Sequence, residues 1–115
     1  MRNPKIQRAI SLMDQRLEED VSLEGIANEL SISTRQLERL FRAHLMDTPK
    51  AFLVKMRLDR AQRLLAQTDM SVIKVASASG FQTLSYFSKI FKKRFGRSPH
   101  EVRRGQMFQS KLDVA

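Results

Sequence analysis

Residues 80–99 read GFQTLSYFSKIFKKRFGRSP and combine a clear helical period with residues that start and end helices. Between Phe87 and Phe95 the apolar residues fall three, one and four positions apart, which is the spacing of one face of an α-helix. Thr83 stands before this segment as a candidate N-cap. Gly96 stands after it, where a helix commonly ends with a residue at positive φ. The stretch therefore predicts a capped, amphipathic helix between two tight turns.

The rest of the chain has the same helical pattern. One apolar stripe predicts a helix from Pro4 to Glu19. A longer helix, from Pro49 to about Gln67, is apolar on several faces, which is typical of a helix packed between other elements. Further helix starts are indicated by capping residues or by proline at the first helical position, at Ser22, Ser33 to Gln36, Thr48-Pro49, Ser71 and Ser98 to Glu101. The fold class predicted is all-α, with about seven helices.

The two halves of the chain repeat each other. At an offset of 49 residues Ser22 matches Ser71 and Ala27 matches Ala76. After a one-residue insertion the offset is 50, and capping residues, core residues and cations recur in order. These pairs are Leu37 and Phe87, Arg39 and Lys89, Leu40 and Ile90, Phe41 and Phe91, Arg42 and Lys92, Leu45 and Phe95, Thr48 and Ser98, and Pro49 and Pro99.

Each repeated unit is a short helix, a turn and a second capped helix, which is the helix-turn-helix arrangement. We expect a first subdomain at 5–47, a linker helix at 48–67, a second subdomain at 68–108 and a frayed tail at 109–115. In this motif the second helix enters the DNA major groove. Because there are two such helices, one chain is expected to occupy two successive major grooves. The linker, at about 1.5 Å per residue, is expected to set their separation.

The polar face of each second helix supplies the candidate site residues. The predicted base-reading residues are Arg35, Glu38, Arg39, Ser85, Tyr86 and Lys89. The predicted phosphate contacts are Ser33, Thr34, Arg42, Thr83, Lys92, Lys93, Arg103 and Arg104. Arginine can pair bidentately with guanine, so Arg35 and Arg39, one turn apart, favour base reading by the first unit. Leu84 and Tyr86 lack the paired donors with which arginine binds guanine, so the second unit is expected to rely more on phosphate.

The charge distribution supports a polyanionic partner. The chain has 21 basic and 12 acidic residues, for a net charge of +9. Residues 1–30 hold 4 basic and 6 acidic residues, which leaves 17 basic and 6 acidic residues in 31–115. A basic excess confined to one part of the chain is typical of a nucleic-acid-binding face. General solubility is the alternative interpretation of the charge alone.

Composition excludes several kinds of site. Without cysteine there is no disulfide, thiol nucleophile or thiolate metal site. His44 and His100 lack metal-ligand spacing, and no nucleophile with a matching base, or glycine loop for phosphate, is present. We therefore expect no enzyme activity, cofactor or metal. No signal peptide or apolar span of about 20 residues is visible, so we expect no membrane association and a cytoplasmic location.

Two other functions remain open on the residues alone. The basic helical faces could bind an acidic protein, or they could package nucleic acid without sequence preference. The exposed cations lie at matched positions on two capped helices, which argues against the protein adaptor. Glu38 between arginines argues against simple packaging, because a carboxylate repels phosphate and is better explained by base reading or by orientation of an arginine.

At these residues the chain resembles the AraC/XylS family of bacterial regulators, over roughly residues 5–104. The most specific stretch runs from Gly80-Phe81 to Ser98-Pro99, with support from residues 37–42 and 57–65. The family often has an aromatic residue just before the arginine of its last helix, whereas here Val102 precedes Arg103. The resemblance implies a sequence-specific transcription factor that binds double-stranded DNA, is usually an activator, and contacts RNA polymerase.

The resemblance also implies a further domain, for effector sensing or dimerisation, that these 115 residues do not contain. Residues 37–41, Leu-Glu-Arg-Leu-Phe, are similar to members with an amidotransferase-like front half. The chain is then either a stand-alone regulator or an excised C-terminal portion, and this similarity favours excision. We expect such a portion to be monomeric by itself, from a regulator that dimerises through the missing domain.

Overall fold

The computed structural model describes residues 3–105, and these contain helices and turns without strands. The helices are α1 (Pro4–Gln15), α2 (Leu23–Glu29), α3 (Thr34–Leu45), α4 (Pro49–Gln67), α5 (Val72–Ala78), α6 (Leu84–Phe95) and α7, which covers residues 99–105. The predicted all-α class is confirmed. The chain divides into a first unit, Met1–Met56, and a second unit, Arg57–Ala115. This division falls inside α4, and the tail predicted at 109–115 lies outside the described residues.

The first helix is shorter than its apolar stripe predicted. Instead of continuing to Glu19, α1 ends at Gln15, with Arg16 as C-cap. The backbone then turns, and the Glu19 amide donates to the Arg16 carbonyl at 3.0 Å. Leu17 is nevertheless buried. A stripe of apolar residues therefore identified the buried positions but not the helix end, because a turn kept Leu17 on the same side.

The predicted caps are present. The Ser33 hydroxyl accepts from the Gln36 amide at 3.1 Å, and the Gln36 side chain accepts from the Ser33 amide at 2.8 Å. Ser98 and Glu101 form the same reciprocal pair at the start of α7. Thr83 caps α6 by accepting from the Tyr86 amide at 3.2 Å. These bonds satisfy amides that the first turn of a helix leaves without partners, and so they fix where each helix begins.

The two units turn the chain in the same way before their second helices. Ser31 has φ 58° and Gly80 has φ 92°. After them, the Ile32 amide donates to the Ala27 carbonyl and the Phe81 amide to the Ala76 carbonyl, both at 3.0 Å. Equivalent residues of the repeat thus make equivalent bonds, and the helix-turn-helix geometry predicted from the duplication is observed in each unit.

Each unit has its own apolar core. In the first unit Phe41 packs edge-on against Phe52 at 5.7 Å between ring centroids. Its buried residues are Ile6, Ala9, Met13, Leu17, Ile26, Ala27, Leu30, Leu37, Phe41 and Leu53. In the second unit α6 is held by a chain of rings, with centroids 5.0 Å apart for Phe81 and Phe87, 5.5 Å for Phe87 and Phe91, and 4.6 Å for Phe91 and Phe95. Tilted rings at these separations attract each other beyond their burial.

Candidate nucleic-acid interface

The second helix of the first unit turns its cations outward. Leu37 and Phe41 on α3 are buried, whereas Arg35, Glu38, Arg39 and Arg42 are exposed. Arg35, Arg39 and Arg42 are four and three residues apart, a spacing that places side chains on one helical face. None of the side-chain ion pairs or hydrogen bonds within residues 3–105 engages these three guanidinium groups. They are therefore available to an anionic or base-edge partner.

The second unit presents an equivalent face on α6. Phe87 and Phe91 are buried, whereas the predicted site residues on this helix are exposed, namely Ser85, Tyr86, Lys89, Lys92 and Lys93. Tyr86 is 49% exposed, and its ring leans on the buried Phe81 at 6.1 Å between centroids. Tyr86 thus packs against an apolar ring and is still about half exposed. At the positions equivalent to Arg35 and Arg39 of α3, this face has Ser85 and Lys89.

The hydroxyl residues at the helix starts keep a free donor. Ser33 and Thr83 are exposed, and each hydroxyl oxygen accepts one backbone hydrogen bond. An accepting hydroxyl still carries its own proton, which can be donated to a phosphate oxygen. Thr34, at the first position of α3, is also exposed. The cap geometry is therefore compatible with the predicted phosphate contacts at these residues.

The last helix separates the two remaining candidates. Arg104 is exposed. In Arg103, by contrast, Nε and Nη2 are buried and have no hydrogen-bond partner among the residues that the structure describes. A guanidinium placed in this way cannot present its full fork of donors to a phosphate. The side chain of Arg104 is thus accessible to a phosphate, whereas part of the Arg103 guanidinium is not.

Arg94 and Arg60 form hydrogen bonds within the second unit that the sequence did not predict. Arg94 donates through Nε and Nη2 to Asp59 Oδ1 at 3.3 and 3.0 Å, and its guanidinium lies 5.4 Å from the Phe95 ring centroid. Arg60 Nε donates to the Ala78 carbonyl at 2.9 Å, at the C-terminal end of α5. These bonds attach α5 and α6 to α4. They position the recognition elements and leave Lys89, Lys92 and Lys93 exposed.

Other kinds of site find no support in the described part of the chain. Within residues 3–105 no group of three or more histidine, aspartate or glutamate side chains is placed to hold a metal ion. None of the helices described there combines the length and apolarity required to cross a membrane.

Comparison with known proteins agrees with this geometry. Residues 26–105 match the model of a helix-turn-helix domain family. The chain is 45% identical over 103 residues to the HTH-type transcriptional regulator GbdR of Pseudomonas aeruginosa, covering 90% of this chain and 28% of GbdR. The chain thus spans less than a third of that relative.

Two solved structures share the fold. The first is a Chromobacterium violaceum transcriptional regulator described by its AraC-type DNA-binding domain, with 38% identity, a TM-score of 0.85, and coverage of 90% of this chain and 92% of that one. The second is the DNA-binding domain of the global transcriptional factor AdpA in complex with a target DNA, with 28% identity, a TM-score of 0.85, and coverage of 94% and 96%. The protein described here belongs to the AraC family of helix-turn-helix transcriptional regulators.

Proposed function

We propose that this chain binds double-stranded DNA sequence-specifically by placing α3 and α6 in two successive major grooves. The observation that carries the proposal is the matched exposure of cations on equivalent helices, with Arg39 matching Lys89 and Arg42 matching Lys92. Each of these helices has a buried apolar face opposite, Leu37 and Phe41 on α3 and Phe87 and Phe91 on α6, so its polar face is presented rigidly. The AdpA domain, similar in fold, was solved on its target DNA.

We assign different contacts to α3 and α6. In the proposal Arg35 and Arg39 read guanine edges through paired hydrogen bonds, each worth about 1–3 kcal/mol of discrimination. Glu38, exposed one helical turn after Arg35 and beside Arg39, orients an arginine or accepts from cytosine N4. Lysine carries a compact point charge without the planar fork of arginine, which suits Lys92 and Lys93 to contacts with phosphates. Ser85, Tyr86 and Lys89 make the base-edge contacts of α6.

In the cell, this domain acts within a transcription regulator. We propose an activator in the cytoplasm that contacts RNA polymerase, in line with the family resemblance. The domain by itself binds as a monomer, because its internal repeat already supplies two recognition helices. Dimerisation of the whole regulator is assigned to another domain.

Selection of bound duplexes from a random pool tests the proposal. The wild-type chain is expected to select one asymmetric site. Arg39→Ala is expected to relax preference at one or two positions of that site, whereas Lys92→Ala is expected to weaken all sequences alike. Selection of no consensus by the wild-type chain, or uniform weakening by both substitutions, would contradict the assignment.

A further inference from the structure

An open groove of about 490 Å³ lies in the first unit, beside the exposed face of α3. One wall is the beginning of α1, where Lys5 lies, and the other is α3, with Gln36 and Arg39. Ile32, Leu40 and Ala43 supply the apolar part of its lining. The groove therefore places a second cation, from a different helix, beside an arginine already assigned to base reading.

Lys5 has no role in the fold that accounts for its charge. Its side chain is exposed, and none of the ion pairs within residues 3–105 includes it. Arg8, three residues further along α1, is exposed as well but is differently placed. The pKa of Glu29 is lowered mainly by the hydrogen bond from Arg16, and the charge of Arg8 contributes in the same direction. Arg8 thus interacts with an acidic neighbour within the protein.

The lining of the groove fits one strand of a DNA backbone. A sugar–phosphate strand presents apolar deoxyribose surface and one negative charge per nucleotide, which correspond to the apolar lining and the cationic rims. A helix in the major groove is flanked by phosphates, and contacts to them fix the register of the reading helix. Lys5 is at the flank of α3, close to the residues that such a strand must pass.

We propose that this groove holds one strand of the DNA backbone and that Lys5 contacts a phosphate at the edge of the half-site that α3 reads. The inference rests on the proposed function, since it takes α3 as a recognition helix. It adds α1 to the interface. Lys5 acts there as a positioning residue, because its contact carries no base information but sets where Arg39 meets the bases.

Salt titration of matched variants tests the proposal, with a duplex selected by the wild-type chain. One phosphate contact contributes about 0.9 to the slope of log affinity against log salt, or about an eightfold change in affinity at 0.1 M salt. Lys5→Gln is expected to lose about this much affinity and slope. Arg8→Gln removes the same charge from the same helix and is expected to retain the wild-type slope. Equal changes in the two variants would show a general charge effect and overturn the proposal.

Neutral methylphosphonate linkages then locate the contact. Placed one at a time along the α3 half-site, they are expected to include one position that weakens the wild-type chain but does not weaken Lys5→Gln further. If every position weakens both proteins equally, Lys5 does not contact a phosphate. Arg39→Ala on the same duplex distinguishes the contact of Lys5 from the binding of α3 itself. If Arg39→Ala loses affinity and Lys5→Gln does not, only the groove proposal is wrong, whereas wild-type affinity in both variants contradicts the proposed function itself.

Discussion

Met46 and Gly96 occupy equivalent positions at the ends of α3 and α6, and both have a left-handed backbone, with φ 53° and φ 77°. Their amides make the same closing bond, from Met46 to the Arg42 carbonyl at 3.1 Å and from Gly96 to the Lys92 carbonyl at 2.7 Å. The Met46 side chain is 89% exposed. The first unit therefore holds an L-residue where the second unit has the one residue free of steric strain at positive φ.

Met46→Gly is expected to stabilise the protein. A left-handed conformation costs an L-residue about 1–2 kcal/mol, which glycine would remove. The greater entropy of glycine in the unfolded chain offsets about 0.5–1 kcal/mol of this gain. The net gain in the free energy of unfolding is about 0.5–1 kcal/mol, measurable by urea denaturation.

Gly96→Ala is the reciprocal control. A Cβ at Gly96 would meet nothing within 4 Å, so the substitution introduces no clash and reports only backbone strain and chain entropy. It is expected to lower the free energy of unfolding by about 1 kcal/mol. If Met46→Gly destabilises the protein, the methionine side chain stabilises the folded state by more than the backbone strain costs, which would contradict the prediction.

Ser79→Ala is also expected to stabilise the protein. Ser79 is fully buried, and its hydroxyl has no hydrogen-bond partner in the part of the chain that the structure describes. An unsatisfied buried hydroxyl costs about 1–3 kcal/mol, so removing it should raise the free energy of unfolding by about 1 kcal/mol. Ser33→Ala is the matched control, because it removes an N-cap and should lower that free energy by about 1 kcal/mol. A loss of stability in Ser79→Ala would mean that its hydroxyl finds a partner in solution.

The carboxyl group of Glu29 is expected to titrate below its ordinary pKa of 4.5. The Arg16 guanidinium donates to Glu29 Oε2 at 2.8 Å and Oε1 at 3.0 Å and stabilises the ionised form. Because the pKa is lowered in the folded state, the resulting stability is present above pH 4.5 and is lost as the pH falls through the folded pKa. NMR titration of the side-chain carboxyl carbon measures this directly. Arg16→Gln should return the midpoint toward 4.5, and an unchanged midpoint would contradict the cause.

Lys92 and Arg94 are close in sequence but are expected to act differently. Arg94 pairs with Asp59 in a partly exposed ion pair, so Arg94→Gln should cost no more than about 1 kcal/mol of stability. It should leave the salt dependence of DNA binding unchanged. Lys92→Gln should keep the stability and reduce the slope of log affinity against log salt by about 0.9. Salt titrations of DNA binding measure the slope for both variants, and urea denaturation measures their stability. A reduced slope in Arg94→Gln would show that the ion pair of Arg94 opens on DNA.

The sequence predicted most of what depends on local chemistry. The caps at Ser33, Thr83 and Ser98, the start of α4 at Pro49 and the turn at Gly96 all follow from residue types with a specific backbone preference. The exposed faces of α3 and α6 followed from helical periodicity.

Features that depend on tertiary packing could not be predicted in this way. Ser31 and Met46 adopt positive φ although neither residue type favours it, so only the repeat points to these turns. Likewise, Lys5 reaches the flank of α3 through the packing of α1, which no local pattern encodes. The end of α1 was misjudged because Leu17 remains buried beyond the helix.

Hydroxyl-radical footprinting at one chain per duplex measures whether each unit supplies one recognition helix. On the selected site, the wild-type chain is expected to protect two blocks of backbone about 10 base pairs apart, on one face of the duplex. Arg39→Ala should weaken protection in one block, and Lys89→Ala should weaken it in the other. Protection of a single block, or a palindromic site covered only by two chains, would contradict the account.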